Sequence, residues 1–255
     1  MNRHLIYHVA PLEANNIWVM NLRQLLRRSY RVFTGRRVIA VAQGPGCVST
    51  EHVKQALRDY SLGDEQWEIL ELPNDKKLRE VITFLPLLRA VLNESGYVFY
   101  AHTKGNSTVD GVPGATRWRN TMYHHLLDRD TECIEIMKSG ASMVGCCQMQ
   151  WSPVKARDAQ QVPRPTLRRT PFPSRLENTH QWIFAGTFYW FRLDRVAHNP
   201  RRFVVPADRY AVEAWPGQMF TAESCYSMWN PFHPRHAMSP YDPKWYEAKY
   251  DDNAS

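Results

Sequence analysis

Residues 98–107 read VFYAHTKGNS, an apolar run that ends on a histidine, a threonine, a lysine and a glycine. A strand without polar alternation has both faces covered, and helices packed on either side of a parallel sheet are the usual cover. The sequence upstream repeats the pattern. Apolar runs recur at HLIYHVA (4–10), VIAVAQG (38–44) and WEILELP (67–73), with helix-like spacing between them. This alternation predicts an α/β fold, a mostly parallel central sheet flanked by helices.

The clearest helical segment is DKKLREVITFLPLLRAVLN (75–93), in which Leu78, Val81, Ile82, Leu85, Leu88 and Leu92 form one stripe. Pro86 interrupts it, which predicts a kink or two abutting helices. TRWRNTMYHHLLD (116–128) places Trp118, Met122 and Leu126 four residues apart, and DTECIEIMKSG (130–140) reads as a helix capped by Asp130 or Thr131 and closed by Gly140. ASMVGCC (141–147) and WIFAGTFYWFRL (182–193) each read as a strand. Residues 152–175, rich in proline and arginine and without an apolar period, read as a long loop. From Trp229 onward, prolines and aromatics predict irregular structure wrapping a surface. No internal repeat is present.

With 255 residues, 44% of them hydrophobic and 12% aromatic, the chain can bury a full core. No window approaches the run of about 20 apolar residues that a membrane span needs. The N-terminus, MNRHLIYHVAP, has neither the apolar stretch nor the small-residue cleavage site of a signal peptide. The expectation is a soluble, cytoplasmic protein. Cys47, Cys133, Cys146, Cys147 and Cys225 lack CxxC spacing, which points to reduced thiols rather than a disulfide framework or zinc ribbon.

The formal charge is +7 and the pI about 9.2, so anionic partners are attracted: nucleic acid, nucleotide phosphates or an acidic membrane surface touched peripherally. The positive charge concentrates in LRQLLRRSYRVFTGRR (22–37) and VKARDAQQVPRPTLRRTPFPSR (154–175). Basic charge among aromatics suits single-stranded nucleic acid. Here, however, the aromatics lie in apolar strands and the arginines in loops, which disfavours that class. Of Trp182, Phe184, Phe188, Tyr189, Trp190, Phe191 and Trp215, strand alternation lets about half line a site as stacking platforms, the rest being core.

In open parallel sheets, ligands bind beyond the carboxyl ends of the strands, where loops and helix N-termini present donors. The first strand delivers His8, Val9 and Ala10 to that edge, the second Gln43 and Gly44, the third Asn74 and Asp75, and the fourth His102, Thr103, Lys104 and Gly105. These groups suit a base, a ribose and a pyrophosphate. AHTKG is the most specific of them, because it combines a fixed charge, an imidazole and a flexible backbone. It matches neither the P-loop nor the GxGxxG turn.

Three stretches together carry a resemblance. YAHTKGNS followed by TRWRNTMYHHLL, PNDKKLREVITFLPLLR with Asn74, Glu80 and Phe84, and WIFAGTFYWFRLD with Ala185, Gly186, Thr187, Phe188, Trp190 and Arg192 are similar to the pattern of rhamnan synthesis protein F and related polysaccharide glycosyltransferases, over roughly residues 70 to 220. The resemblance implies a nucleotide-sugar-dependent, inverting glycosyltransferase with a GT-A-like (Rossmann-like) fold. It implies a nucleotide-sugar donor and a glycan or lipid-linked acceptor. A single domain would divide into a nucleotide-binding half (1–110), an acceptor and catalytic half (111–228, with the loop 152–178) and a tail (229–255).

On that resemblance, His8, Ala10, Asn74, Asp75, His102, Lys104 and Gly105 take the donor, and Trp118, Arg119, Gly186, Thr187 and Trp215 border the sugar and acceptor. Glu213 is the expected catalytic base of an inverting transfer, chosen over Asp208 and Glu223, with the bulk of AWPG flooring the sugar site. GT-A folds usually end the corresponding strand in an Asp-x-Asp that holds Mn²⁺ or Mg²⁺. Here the nearest carboxylate is Asp110, and His102 with Lys104 could neutralise the diphosphate without metal. No metal ligand is assigned. His233 and His236 read as structural or as late donor-phosphate contacts. The rival readings are a basic nucleic-acid-binding protein and a catalytically inactive relative.

Overall fold

The computed structural model describes residues 1–62, 66–105, 114–150, 182–207 and 210–230. Strands β1 (Arg3–Val9), β2 (Arg37–Gln43), β3 (Glu68–Pro73) and β4 (Tyr97–His102) alternate with helices α1 (Ile17–Ser29), α2 (Thr50–Tyr60) and α3 (Val81–Val91). Helices α4 (Ala115–Tyr123) and α5 (Asp130–Lys138) follow, joined by a π-helical turn, and then strands β5 (Met143–Gly145), β6 (Gln148–Gln150), β7 (Trp182–Phe184) and β8 (Tyr189–Arg192). Helices α6 (Leu193–Ala197) and α7 (Ala211–Met219) and strand β9 (Cys225–Ser227) complete the described chain.

Seven strands form one sheet in the order β3-β2-β1-β4-β8-β5-β9, and β6 pairs with β7 separately. The sheet is mostly parallel: β8 runs antiparallel to both of its neighbours, β4 and β5. β4 is buried at every position, as its unbroken apolar sequence requires. Strand alternation sends Leu5, Tyr7 and Val9 of β1 into a core shared with α1, α2, α4 and α5. Ile6 faces the opposite core, where α3, α6 and α7 pack. Each fully buried leucine or phenylalanine in these layers contributes roughly 1.5–3 kcal/mol over leaving it exposed.

Two sequence-based boundaries shift. The helix expected from residue 75 begins at Val81, because Asp75 Oδ1 accepts from the backbone N–H groups of Lys77 (2.7 Å) and Leu78 (3.2 Å) and holds residues 75–79 in a turn. Its buried stripe is Val81, Phe84, Leu87, Leu88 and Val91, and α3 runs through Pro86 as one element. WIFAGTFYWFRL is two strands in two sheets, not one. Gly186 at φ 95° and Thr187 at φ 62° break the extended chain between β7 and β8.

The expected caps of α5 are also absent: no side chain caps it, and Arg129 occupies the N-cap position. Gly140 does end the segment, at φ 127°. All five cysteines are free thiols, and burial pushes Cys147 and Cys133 up to about 12. No described helix is long and apolar enough to cross a membrane.

Candidate functional site

The carboxyl ends of β1 and β4 lie side by side, with His8 directly opposite His102 in the parallel register. The ladder continues past both strands. Thr103 N–H donates to His8 O (3.0 Å), and Ala10 N–H donates to Thr103 Oγ1 (3.1 Å). The loops after β1, β2 and β3 are tied to the same edge. Val48 N–H donates to Pro11 O (2.8 Å), Glu13 N–H to Gly46 O (2.9 Å), and Asn74 N–H to Gln43 O (2.7 Å). Asn74 Nδ2 also reaches Cys47 Sγ at 3.4 Å.

Lys104 follows this edge and is held from two sides. Asn21 of α1 accepts from its N–H (2.9 Å) and donates to its carbonyl (3.1 Å), so one side chain satisfies both backbone groups. The ammonium lies 3.8 Å from the centroid of the Trp118 ring, a cation–π contact on a ring that is itself 2% exposed. Gly105, at φ 79°, turns the chain away. The result is a fixed positive charge at the end of the central strand.

The β7–β8 turn closes over the same place. Gly186 O accepts from His102 Nε2 (3.2 Å), and a Cβ on Gly186 would meet Trp118 Cζ2 at 2.8 Å. Thr187 is wholly buried, and its hydroxyl has no hydrogen-bond partner among the described residues. Its left-handed backbone is strained for a β-branched residue. The segment therefore depends on Gly186 and tolerates a strained Thr187 next to the histidine.

Both histidines are neutral at ordinary pH. Burial pulls His102 down to about 3, aided by the Lys104 charge and opposed by the Gly186 carbonyl. Burial likewise pulls His8 down to about 4, with the Glu80 carboxylate working against it. On the α3 side, His8 Nδ1 lies 2.8 Å from Thr83 Oγ1. Tyr100 OH is sealed without a partner among the described residues. Burial raises the Tyr189 phenol well above its usual value, and the Glu80 and Glu213 carboxylates add to this. Glu213 thus stands in the first turn of α7, within electrostatic reach of β8.

Of the residues expected to form a site, His8, Ala10, His102, Lys104, Gly105, Gly186 and Trp118 converge on the β1/β4 edge. Trp118 holds the lysine from beneath instead of facing a sugar. Three expectations need correction. Trp215 is buried in the core against Phe84 and Tyr189 and donates its indole N–H to Arg202 O (3.1 Å), so its ring offers no face to a sugar. Arg119, 1% exposed, is turned into the α1 side of the sheet, where its charge acts on Tyr7 and Tyr123. None of the aromatics from Trp182 to Phe191 keeps an open face, so all of them are core and not half.

Asp75 has one carboxylate oxygen committed to its own turn. Glu223 is exposed in a 3₁₀ turn before β9. Asp110, Asp208, His233, His236 and the arginine-rich loop lie outside the described residues. Asn21 and Thr83 escaped the sequence reading. The signal available for each was a polar residue on the buried stripe of an apolar helix.

Among the described residues, no three His, Cys, Asp or Glu side chains converge as a metal site. The Lys104 ammonium beside His102 also disfavours a dication there.

No family model and no curated protein matches the chain. Among solved structures, S. aureus TarS in complex with UDP-GlcNAc is 12% identical at a TM-score of 0.40, over 85% of this chain and 54% of that one. A second S. aureus TarS structure is 13% identical at 0.40, over 85% of this chain and 34% of that one. Core-mannan synthase A (CmsA/Ktr4) from Aspergillus fumigatus, in its Mn/GDP form, is 9% identical at 0.41, over 91% and 73%. The chain spans about half the length of the first and a third of the second. At these scores the likeness carries no argument about activity.

Proposed function

We propose that the chain is a glycosyltransferase that takes a sugar from a nucleotide-sugar donor to a hydroxyl of a glycan or lipid-linked acceptor, as the resemblance to the rhamnan synthesis protein F family implies. The observation that supports this best is Lys104. A lysine fixed at both backbone groups and through its ammonium stands at the carboxyl end of the central strand, where a departing diphosphate would need a positive charge. The two imidazoles beside it are neutral, so the positive charge felt at His102 comes from Lys104 and, to a smaller extent, Arg79.

In this reading the acceptor hydroxyl gives its proton to the Glu213 carboxylate as its oxygen bonds to the anomeric carbon. The bond from that carbon to the diphosphate oxygen breaks, and the electron pair leaves with the diphosphate, facing Lys104. The transfer inverts the anomeric carbon. His8, Asn74 and Ala10 border the nucleoside, and Gly186 and Thr187 border the acceptor. The arginine-rich segments suit an acidic acceptor or a peripheral contact with an acidic membrane.

Thermal shift against UDP, GDP, dTDP, ADP and their nucleosides tests the reading. One nucleoside diphosphate should stabilise the protein selectively, as ligand binding to the native state requires. Lys104→Ala should weaken that diphosphate about tenfold or more while leaving the nucleoside nearly unaffected. No stabilisation by any of them, or an equal loss for nucleoside and diphosphate, would reject it.

A further inference from the structure

The His8 ring is oriented by a chain of groups that the transfer reaction does not itself use. Glu80 O can only accept a hydrogen bond, and Thr83 Oγ1 donates to it at 3.0 Å. The single hydroxyl hydrogen of Thr83 is spent there. At its 2.8 Å contact with His8, Thr83 Oγ1 must therefore accept, and His8 Nδ1 must carry the hydrogen. A neutral imidazole has one N–H, so Nε2 is left with a bare lone pair. Nε2 makes no hydrogen bond among the described residues, and the Glu80 carboxylate makes none to the ring.

We propose that Thr83 is the positioning residue for His8, holding it as the Nδ1–H tautomer so that Nε2 accepts a hydrogen bond from an uncharged donor group on the ligand. The identity of that ligand rests on the nucleotide-sugar reading above; the tautomer does not. A phosphate oxygen is itself an acceptor and is repelled by Nε2, so phosphate belongs to Lys104 and the nucleoside to His8. Within a nucleoside, the groups that qualify are the ring N–H of uracil, thymine or guanine, the exocyclic amino groups of cytosine, adenine or guanine, and the ribose hydroxyls. Cytosine has an acceptor where uracil has its ring N–H, and its base could donate only through the exocyclic amino group.

Long-range ¹H–¹⁵N correlation spectra of the ¹⁵N-histidine-labelled full chain read the tautomer directly. His8 should appear as Nδ1–H in the wild type and in Thr83→Ser, and should shift toward Nε2–H in Thr83→Val, which keeps the shape and removes the hydroxyl. Binding of UDP, CDP and 2′-deoxy-UDP should weaken about 3- to 10-fold in Thr83→Val for the preferred nucleotide, the size of one neutral hydrogen bond, and recover in Thr83→Ser. Collapse of UDP-over-CDP selectivity identifies the base as the donor; collapse of ribose-over-deoxyribose selectivity identifies the hydroxyl. An Nε2–H tautomer in the wild type overturns the proposal, and so does unchanged affinity in Thr83→Val. The Nδ1–H tautomer in a wild type that binds none of the nucleotides overturns the ligand assignment and the nucleotide reading while the ring orientation stands.

Discussion

A methyl group on Gly186 would lie 2.8 Å from Trp118 Cζ2 and 3.0 Å from Met122 Sδ, on a backbone at φ 95° that L side chains rarely adopt. Neither neighbour can retreat, because both are buried. Gly186→Ala should therefore destabilise the fold by about 2–4 kcal/mol, combining backbone strain with overpacking. Urea unfolding measures this, and a change below about 1 kcal/mol would mean that the turn can reshape. The same substitution displaces the carbonyl that accepts from His102. Thr187, next in sequence, already occupies the left-handed region and shows what such strain looks like when the surrounding core enforces it.

Helix α1 acts on the site through one side chain. Asn21 reaches the Lys104 backbone while Trp18, Leu22, Leu25 and Leu26 anchor the helix in the core. Asn21→Leu keeps the branched outline of the side chain and abandons two buried backbone groups, which should cost about 2–4 kcal/mol by urea unfolding and weaken diphosphate binding along with it. Stability equal to wild type would show that water replaces the side chain. The four parallel strands were legible because each is an uninterrupted apolar run, and the strand-end rule then located His8, His102 and Lys104. The break between β7 and β8 was not, since alternation in an all-aromatic run is blind to a positive φ. The start of α3 was missed because Asp75 caps a turn that carries the helical period without being helix. Trp215 and Arg119 were misplaced for a common reason. Residue type proposes a binding group, but only tertiary packing tells which face a helix buries.

Across the whole molecule, the two buried imidazoles make stability depend on pH. In the unfolded chain each would protonate below about 6.5, whereas in the fold they hold out to about 4 for His8 and about 3 for His102. Between those limits the unfolded state binds more protons, so stability is present above pH 6.5 and is lost as pH falls. By pH 5 each histidine should have cost about 2 kcal/mol, roughly 4 kcal/mol together relative to pH 7.5. Replacing either by Gln should remove about half of that slope in urea unfolding. A flat profile from pH 7.5 to 5 would mean that the imidazoles protonate as readily in the fold as in the unfolded chain.

Strand β8, the reversed strand, enters between β4 and β5 and pairs Tyr97 with Arg192, about ninety residues apart. On a ribosome adding 5–20 residues per second, β4 emerges on the order of ten seconds before the strand that will cover its free edge. During that interval YVFYAH, with no proline or lysine within it, is an unguarded apolar edge of the kind that invites pairing with another chain. Delivering the β7–β8 turn to the β1/β4 edge by reversing a late strand thus makes the nascent protein dependent on timely completion, and places an aggregation hazard in the same strand that carries His102.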